Sequence, residues 1–277
     1  MEKLLVVDGS NLLFQMFYGM PARITNHQGK AIQGTLGFVG ALLKILRMVR
    51  PTHVTVLFDG ECCNPRKDLD EAYKANRPDW EEEAETPFDQ LPDIYMALDA
   101  MKIAHAETSC CEADDWIAGY ALGWAEETVI SSQDSDFFQL ITDRVRILRY
   151  RGEKTVLCDT RWLWERYGII PGQYAAFKSL TGDTADNIRG IPGVGVKTAA
   201  ALLQQFGSLE GLLERAEKIE RPSIRAAVLQ NRERLRLNHL LIALTAGEQL
   251  PFSKEEMAWQ DPGKTTTQIL KEIGLRI

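Results

Sequence analysis

The sequence predicts an α/β fold built on a parallel sheet, and three segments carry that prediction. Leu4–Asp8, His53–Asp59 and Thr128–Ser132, the last leading to Asp134 and Asp136, are apolar, rich in β-branched residues and end in acids. Continuous apolar character suits strands covered on both faces. Helical patterns lie between them: Leu36, Val39, Leu42, Leu43, Leu46 and Val49 fall on one helical face, and residues 113–125 repeat the pattern. Alternating strands and helices imply βαβ units, whose ligand sites form beyond the carboxyl ends of the strands. One strand-terminal Asp is commonly a turn or a helix cap. Three such ends point to a shared site.

The remaining elements follow in order. Residues 146–158 read as a β-hairpin turning at Arg151-Gly152. From about residue 160 the pattern is mostly helical, over 171–180, 196–206, 208–216, 223–244 and 264–273. The expected division is a core over 1–160 and a helical subdomain over 161–277. Segment 61–90 is highly charged and includes Glu81-Glu82-Glu83. It reads as a solvated loop or helix face, and its position just after Asp59 also suits a lid or arch over the site.

At 277 residues the chain can bury a substantial core. No apolar run approaches the ~20 residues that cross a bilayer, and the first eight residues turn acidic too soon for a signal peptide, so a cytoplasmic protein is expected. Cys62, Cys63, Cys110, Cys111 and Cys158 lack zinc-site spacing and read as reduced thiols. His27, His53, His105 and His239 form no motif and read as structural or surface residues.

The acids carry the chemistry. Asp8, Asp59, Glu112, Asp114, Asp115, Asp134, Asp136, Asp183 and Asp186 are candidates for one metal site. Glu112 and Asp115 stand three apart at a helix start and can face one side; taken alone, that trio with Asp114 could equally cap the helix and complement its dipole. Asp134 and Asp136 share a face if extended, and Asp183 and Asp186 share one if helical. So many carboxylates in one pocket cannot all ionise without a cation. Hard oxygen ligands select Mg²⁺, with Mn²⁺ as substitute, over zinc. Two such ions ~4 Å apart could activate water and stabilise the leaving oxygen of a phosphodiester. The net charge of -7, taken by itself, opposes a nucleic-acid partner. Of the 39 acids, however, nine belong to the candidate site, and the other 30 nearly balance 32 bases. Bound cations would reverse the local sign.

Two further stretches point to phosphate. In Leu180–Thr198, four glycines let backbone approach a ligand and a helix starts near Val196; its free N–H groups, with Lys197 and Thr198 beside them, suit a phosphate. In Arg66–Arg77, helical spacing brings Arg66, Tyr73, Lys74 and Arg77 near one another. Lys74 and Arg77 could neutralise a scissile phosphate and Tyr73 could stack on an unpaired base. The alternative is an exposed amphipathic helix with local ion pairs.

Val7-Asp8-Gly9, Phe58-Asp59, Tyr73-Lys74-Ala75-Asn76-Arg77, Glu112-Ala113-Asp114-Asp115, Asp134-Ser135-Asp136 and the Gly182–Lys197 hairpin occur in this order over roughly residues 1–245. The ordered set resembles the 5′-nuclease (flap endonuclease) superfamily, above all bacterial 5′–3′ exonucleases and the nuclease domain of DNA polymerase I. The resemblance implies a PIN-like nuclease core, a helical arch at about 61–90, and a SAM-fold-like helix-three-turn-helix module at about 180–206. It implies that Asp8, Asp59, Glu112, Asp114 and Asp115 serve a first Mg²⁺, and Asp134, Asp136, Asp183 and Asp186 a second. Lys74 and Arg77 match arch-base residues on the scissile phosphate. Gly193, Val194, Gly195, Val196, Lys197 and Thr198 match the element that grips duplex DNA. Main-chain carbonyls of Leu180, Thr181, Arg189, Ile191 and Val194 match a potassium site. Some relatives have lost carboxylates of the second site; this chain retains all four. A departure is the acidic Trp80-Glu81-Glu82-Glu83-Ala84-Glu85 stretch near the arch.

The expected activity is Mg²⁺-dependent hydrolysis of DNA at 5′ ends or 5′ flaps by a monomer. No polymerase segment is expected after Ile277, so the activity would act alone or beside a separate polymerase or ligase. The alternatives are a branched-DNA-binding protein with vestigial catalysis, and a PIN-type ribonuclease, which would not need the 180–198 hairpin.

Overall fold

The computed structural model describes residues 2–60, 65–77, 85–109, 111–246 and 249–275. The cysteines at 62, 63 and 110, and the acidic stretch at 80–84, lie outside the described residues. Strands β1 (Lys3–Asp8), β2 (His53–Phe58), β3 (Ala104–Glu107), β4 (Glu127–Ser131), β5 (Val145–Arg149) and β6 (Val156–Cys158) form one sheet in the order β3-β2-β1-β4-β5-β6. The first five strands in that order run parallel; β6 pairs antiparallel with β5 as the expected hairpin. The chain leaves β1 toward β2 and β3, then returns to the other side of β1 at β4. That reversal creates a switch point between β1 and β4, where a crevice opens at the strand ends.

Side-chain alternation explains why both faces are covered. On β1, Leu5 and Val7 point into one layer with Val54, Val56 and Phe58 of β2, under α1 (Gly9–Gly19), α2 (Gln33–Val49) and α4 (Leu91–Ala100). Leu4 and Val6 point into the opposite layer with Leu57, Ile130 and Ile147. There α5 (Ala113–Gly123) packs, and the core continues without a break into α6 (Thr160–Tyr167) and the helical module. Strand β3 escapes sequence reasoning. It has four residues and no β-branched side chain, and it borders only β2.

The helical module begins with α7 (Tyr174–Thr181), followed by a two-stranded hairpin of β7 (Gly182–Asp183) and β8 (Ile188–Arg189). Then come α8 (Val196–Phe206), α9 (Leu209–Glu214), α10 (Pro222–Gln230) and α11 (Arg232–Ile242). The single helix expected over 223–244 is two helices separated at Asn231, whose side chain donates to Ala227 O at 2.8 Å. After α11 the chain crosses back to the core. Trp259 donates its indole N–H to Met101 O at 3.0 Å, and α12 (Thr266–Glu272) packs on α2. No helix among the described residues is long and apolar enough to cross a membrane.

A candidate active site at the switch point

Each acid arrives by a different local device. Asp8 ends β1 and caps α1, accepting Asn11 N–H at 2.9 Å and the Ser132 hydroxyl at 2.7 Å. Asp59 follows β2 and accepts Ala113 N–H at 2.9 Å, so it caps α5 across the chain. Asp114 enters on the first turn of α5. Asp134 lies on the turn after β4. It is not extended with Asp136, as the two-residue spacing predicts, because Asp136 opens a 3-10 turn and donates its N–H to Asp134 Oδ1 at 2.8 Å. Asp8, Asp59, Asp114 and Asp134 line one cleft of about 380 Å³, with Lys74, Arg77, Ser10, Asn11, Phe14 and Phe88.

Asp136, Asp183 and Asp186 form an adjoining group, with a carboxylate oxygen from each within 4.8 Å of the others. Asp183 and Asp186 meet through the β7–β8 hairpin rather than through a helix. The expected helical face is lost because α7 stops at Gly182, whose φ of 85° is left-handed. The hairpin closes so tightly that a Cβ on Gly190 would lie 2.4 Å from Thr181 O.

Burial and like charge dominate the electrostatics. Burial, then Asp59, pushes the Asp8 carboxyl up to about 7. Burial, then Asp134, Asp8 and Asp59, holds Asp114 well above the carboxylate range. Burial and Asp134 do the same for Asp136, against the pull of Lys178. These groups have the chemistry of a cation-binding cluster: hard oxygens, mutual repulsion and, at Asp136 Oδ1, a buried acceptor with no hydrogen-bond donor.

The nine acids fall into three sets in the fold: four on the cleft, three in the adjoining group, and Glu112 with Asp115. Glu112 and Asp115 do reach one side of α5, yet both end on cations. Arg66 donates to Glu112 at 2.7 Å and to Asp115 at 2.9 and 3.1 Å, and Lys74 pairs with Glu112. Glu112 therefore begins α5 without capping it. Asp134 lines the cleft with Asp8 and Asp114 and also raises the pKa of Asp136 and Asp186 in the adjoining group.

The basic segment is also rearranged. Arg66 sits on α3 (Pro65–Leu69), which ends at Leu69; turns then carry the chain through Tyr73 and Lys74. Arg66 is buried among Glu112, Asp115 and Ala243 O, so it does not face a substrate as expected. Tyr73 is 3% exposed and its hydroxyl contacts Glu112 and Asp186, which leaves no ring face for a base. Lys74 and Arg77 line the cleft. Burial opposes the Lys74 charge, but Asp186 and Glu112 outweigh it and hold its pKa above the usual range.

Gly193, Gly195, Val196 and Lys197 present an exposed start of α8, with no side chain capping its N–H groups. Thr198 is half-buried, and Val194 is buried and can offer only backbone. The Leu180, Arg189 and Ile191 carbonyls accept hydrogen bonds from Ile191, Asn238 and Val194 respectively, and a carbonyl oxygen has a second lone pair to offer a cation.

Sequence reasoning missed several neighbours. Lys178 of α7 pairs with Asp183 and lies 3.7 Å from Asp136. Phe14 and Phe88 meet edge to face at the cleft wall, 5.5 Å between ring centres. Buried Asn238 donates to Ser179 O and Arg189 O and ties α11 to the hairpin. Lys178 and Phe14 follow amphipathic helices and give no separate signal; an Asn amid Leu235, Leu241 and Ile242 was the one visible anomaly.

An aspartate-lined cleft at the switch point of a mainly parallel sheet, continuous with a helical module, marks a candidate active site for divalent-metal chemistry. Residues 3–168 match the profile of the 5′-3′ exonuclease N-terminal resolvase-like domain, and residues 169–265 that of the 5′-3′ exonuclease C-terminal SAM fold. The chain is 36% identical over 242 residues to the thermostable DNA polymerase I of Thermus thermophilus, covering 85% of this chain and 28% of that protein. It is 31% identical over 279 residues to DNA polymerase I of Bacillus subtilis, covering 99% of this chain and 31% of that protein. The chain thus belongs to the 5′-3′ exonuclease family, and it spans about three-tenths of the length of these relatives. Its fold matches that of T5 5′-exonuclease bound to zinc ions, with TM-score 0.71, 22% identity and coverage of 87% and 89%. It also matches the catalytic core of Rad2 in complex with DNA substrate, with TM-score 0.61, 15% identity and coverage of 98% and 88%.

Proposed function

We propose that this protein is a structure-specific 5′-nuclease that hydrolyses DNA phosphodiesters at 5′ ends or 5′ flaps with two Mg²⁺ ions. One observation carries the reading: seven aspartates converge in two adjoining groups beneath Lys74 and Arg77. Asp8, Asp59, Asp114 and Asp134 would hold one ion, and Asp136, Asp183 and Asp186 the other. When bound, such ions supply charge neutralisation and acidify water. Glu112 and Asp115 support the site from behind by orienting Lys74 and Arg66.

The chain's own groups account for the remaining steps. Lys74 and Arg77 stabilise the charge that develops on the phosphate in flight. Phe14 and Phe88 offer an apolar wall for the nucleotide beside it. The α8 start, with Lys197 and Thr198, holds duplex backbone and sets the register of cutting. Carbonyls of Leu180, Thr181, Arg189, Ile191 and Val194 are suited to K⁺, since a carbonyl that accepts one hydrogen bond keeps a lone pair. We read residues 1–160 as the nuclease core, with an arch at 61–90, and 161–277 as the DNA-holding module. We read the protein as a cytoplasmic monomer, whose nicked or gapped products are substrates for a polymerase or ligase in replication and repair.

The deciding assay is the product length from a 5′-labelled flap with Mg²⁺, with EDTA, and with or without K⁺. Wild type should cut at the flap base only with the divalent ion, and Asp134→Ala should not. Equal turnover by both proteins removes the catalytic assignment. Preference for single-stranded RNA would move the reading to a ribonuclease.

A further inference from the structure

We infer that Asn76 and Asn187 form a reciprocal clasp that positions Lys74 and Arg77 over the carboxylates. Asn76 Nδ2 donates to Thr184 O at 2.9 Å, and Asn187 Nδ2 donates to Ala72 O at 2.8 Å. Between them Lys74 N–H donates to Asp186 O at 3.0 Å. Each asparagine thus serves a backbone carbonyl on the other's segment, although the two segments lie more than a hundred residues apart in sequence. No strand ladder joins them; the three bonds replace one.

Backbone conformation gives the clasp a mechanical meaning. Lys74 has φ 56° and Asn187 has φ 58°, both left-handed. Asparagine tolerates this region, whereas lysine adopts it only where the surroundings impose it. At Lys74 that conformation aims the N–H at Asp186 O while the side chain reaches Glu112. On the other side, the turn that holds Thr184 and Asn187 also presents Asp183 and Asp186, and leads through β8 to the exposed start of α8. The segment that would grip duplex is therefore fastened to the segment that would contact phosphate. Each contact needs a donor, which the carboxamide N–H supplies. Neither asparagine touches the reacting atoms, so both are positioning residues.

The inference rests on the nuclease reading, and the experiment separates the two. Asn76→Ala and Asn187→Gly are made singly and together, glycine keeping the left-handed conformation without the amide. The first readout is hydrogen exchange at the Lys74 amide in DNA-free, metal-free protein. Each single variant should raise it about tenfold, leaving β1 and α8 unchanged. The second is flap cleavage at saturating substrate, which should fall by about 10- to 100-fold, with duplex affinity in EDTA changed less than about threefold. The double variant should resemble the worse single one, since either loss opens the same clasp. Unchanged exchange at Lys74, multiplicative losses in the double variant, or duplex affinity falling in step with turnover would each overturn the clasp. If wild type cuts no DNA, the nuclease reading fails while the exchange result still decides whether the clasp exists.

Discussion

Replacing Asp8 by asparagine should stabilise the metal-free protein while abolishing its activity, and the effect should grow with pH. Asp8 is 5% exposed, and burial and Asp59 raise its pKa to about 7, against 3.8 when unperturbed. The folded chain therefore keeps this proton through a window in which the unfolded chain has lost it. Stability falls as pH rises from about 4 to about 7, because the unfolded state binds fewer protons there. The penalty is about 2 kcal/mol at pH 5 and about 4 kcal/mol at pH 8. An asparagine in its place would carry no such penalty. Its side-chain oxygen would still accept Asn11 N–H, so the cap on α1 survives.

The assay is thermal unfolding of wild type and Asp8→Asn in EDTA at pH 5 and pH 8. The variant's advantage should widen between the two by about 2–3 kcal/mol, or roughly 5–10 °C. Adding Mg²⁺ at pH 8 should reverse the order, since wild type gains binding free energy that the variant has largely lost. A variant no more stable than wild type in EDTA at pH 8, or a gap independent of pH, would refute the reasoning.

Three other outcomes follow from the same geometry. Lys178→Met removes the ammonium that occupies the Asp136–Asp183–Asp186 group; Mn²⁺ titration of the DNA-free protein should show that group binding about tenfold more tightly, and weaker binding would contradict it. Gly190→Ala drives a Cβ to within 2.4 Å of Thr181 O, so it should lower stability by about 1–3 kcal/mol and weaken duplex affinity, read by unfolding and fluorescence anisotropy. Lys197→Ala should weaken duplex binding and reduce the slope of log affinity against log salt by about 1; an unchanged slope would remove Lys197 from the phosphate grip.

What the sequence revealed depended on whether a signal was local. Asp8 and Asp59 were legible because each ends an apolar run whose strand character needs no partner to be seen. The start of α8 was legible from Gly193 and Gly195 before an amphipathic run. Asp183 and Asp186 were seen as a pair, but their helical geometry was wrong. Spacing alone does not report that Gly182 turns left-handed and begins a hairpin. The break at Asn231 turns on a local bond to Ala227 O, whereas strand β3 depends on contacts with a distant segment. So does the return of residues 251–275 to the core, where Trp259 reaches Met101 O.

The partition of the nine acids was the least legible feature and is the most informative about chemistry. Their residue type is uniform; what distinguishes them is which cations the fold brings near. Glu112 and Asp115 receive Arg66 and Lys74 from 38–49 residues away, Asp183 receives Lys178, and Asp186 receives Arg77. Asp8, Asp59, Asp114 and Asp134 make no ion pair among the described residues. Glu112 and Asp115, buried against Arg66 and Lys74, have their counter-charge built in and can serve as supports. Four buried or cleft-lining carboxylates without one leave a deficit of positive charge, visible in the raised pKa of Asp8 and Asp114. That deficit lies at the switch point, directly under Lys74 and Arg77, where a divalent ion and a phosphodiester would meet. On the proposed function, these acids stand where a cation would enter before a polyanion approached.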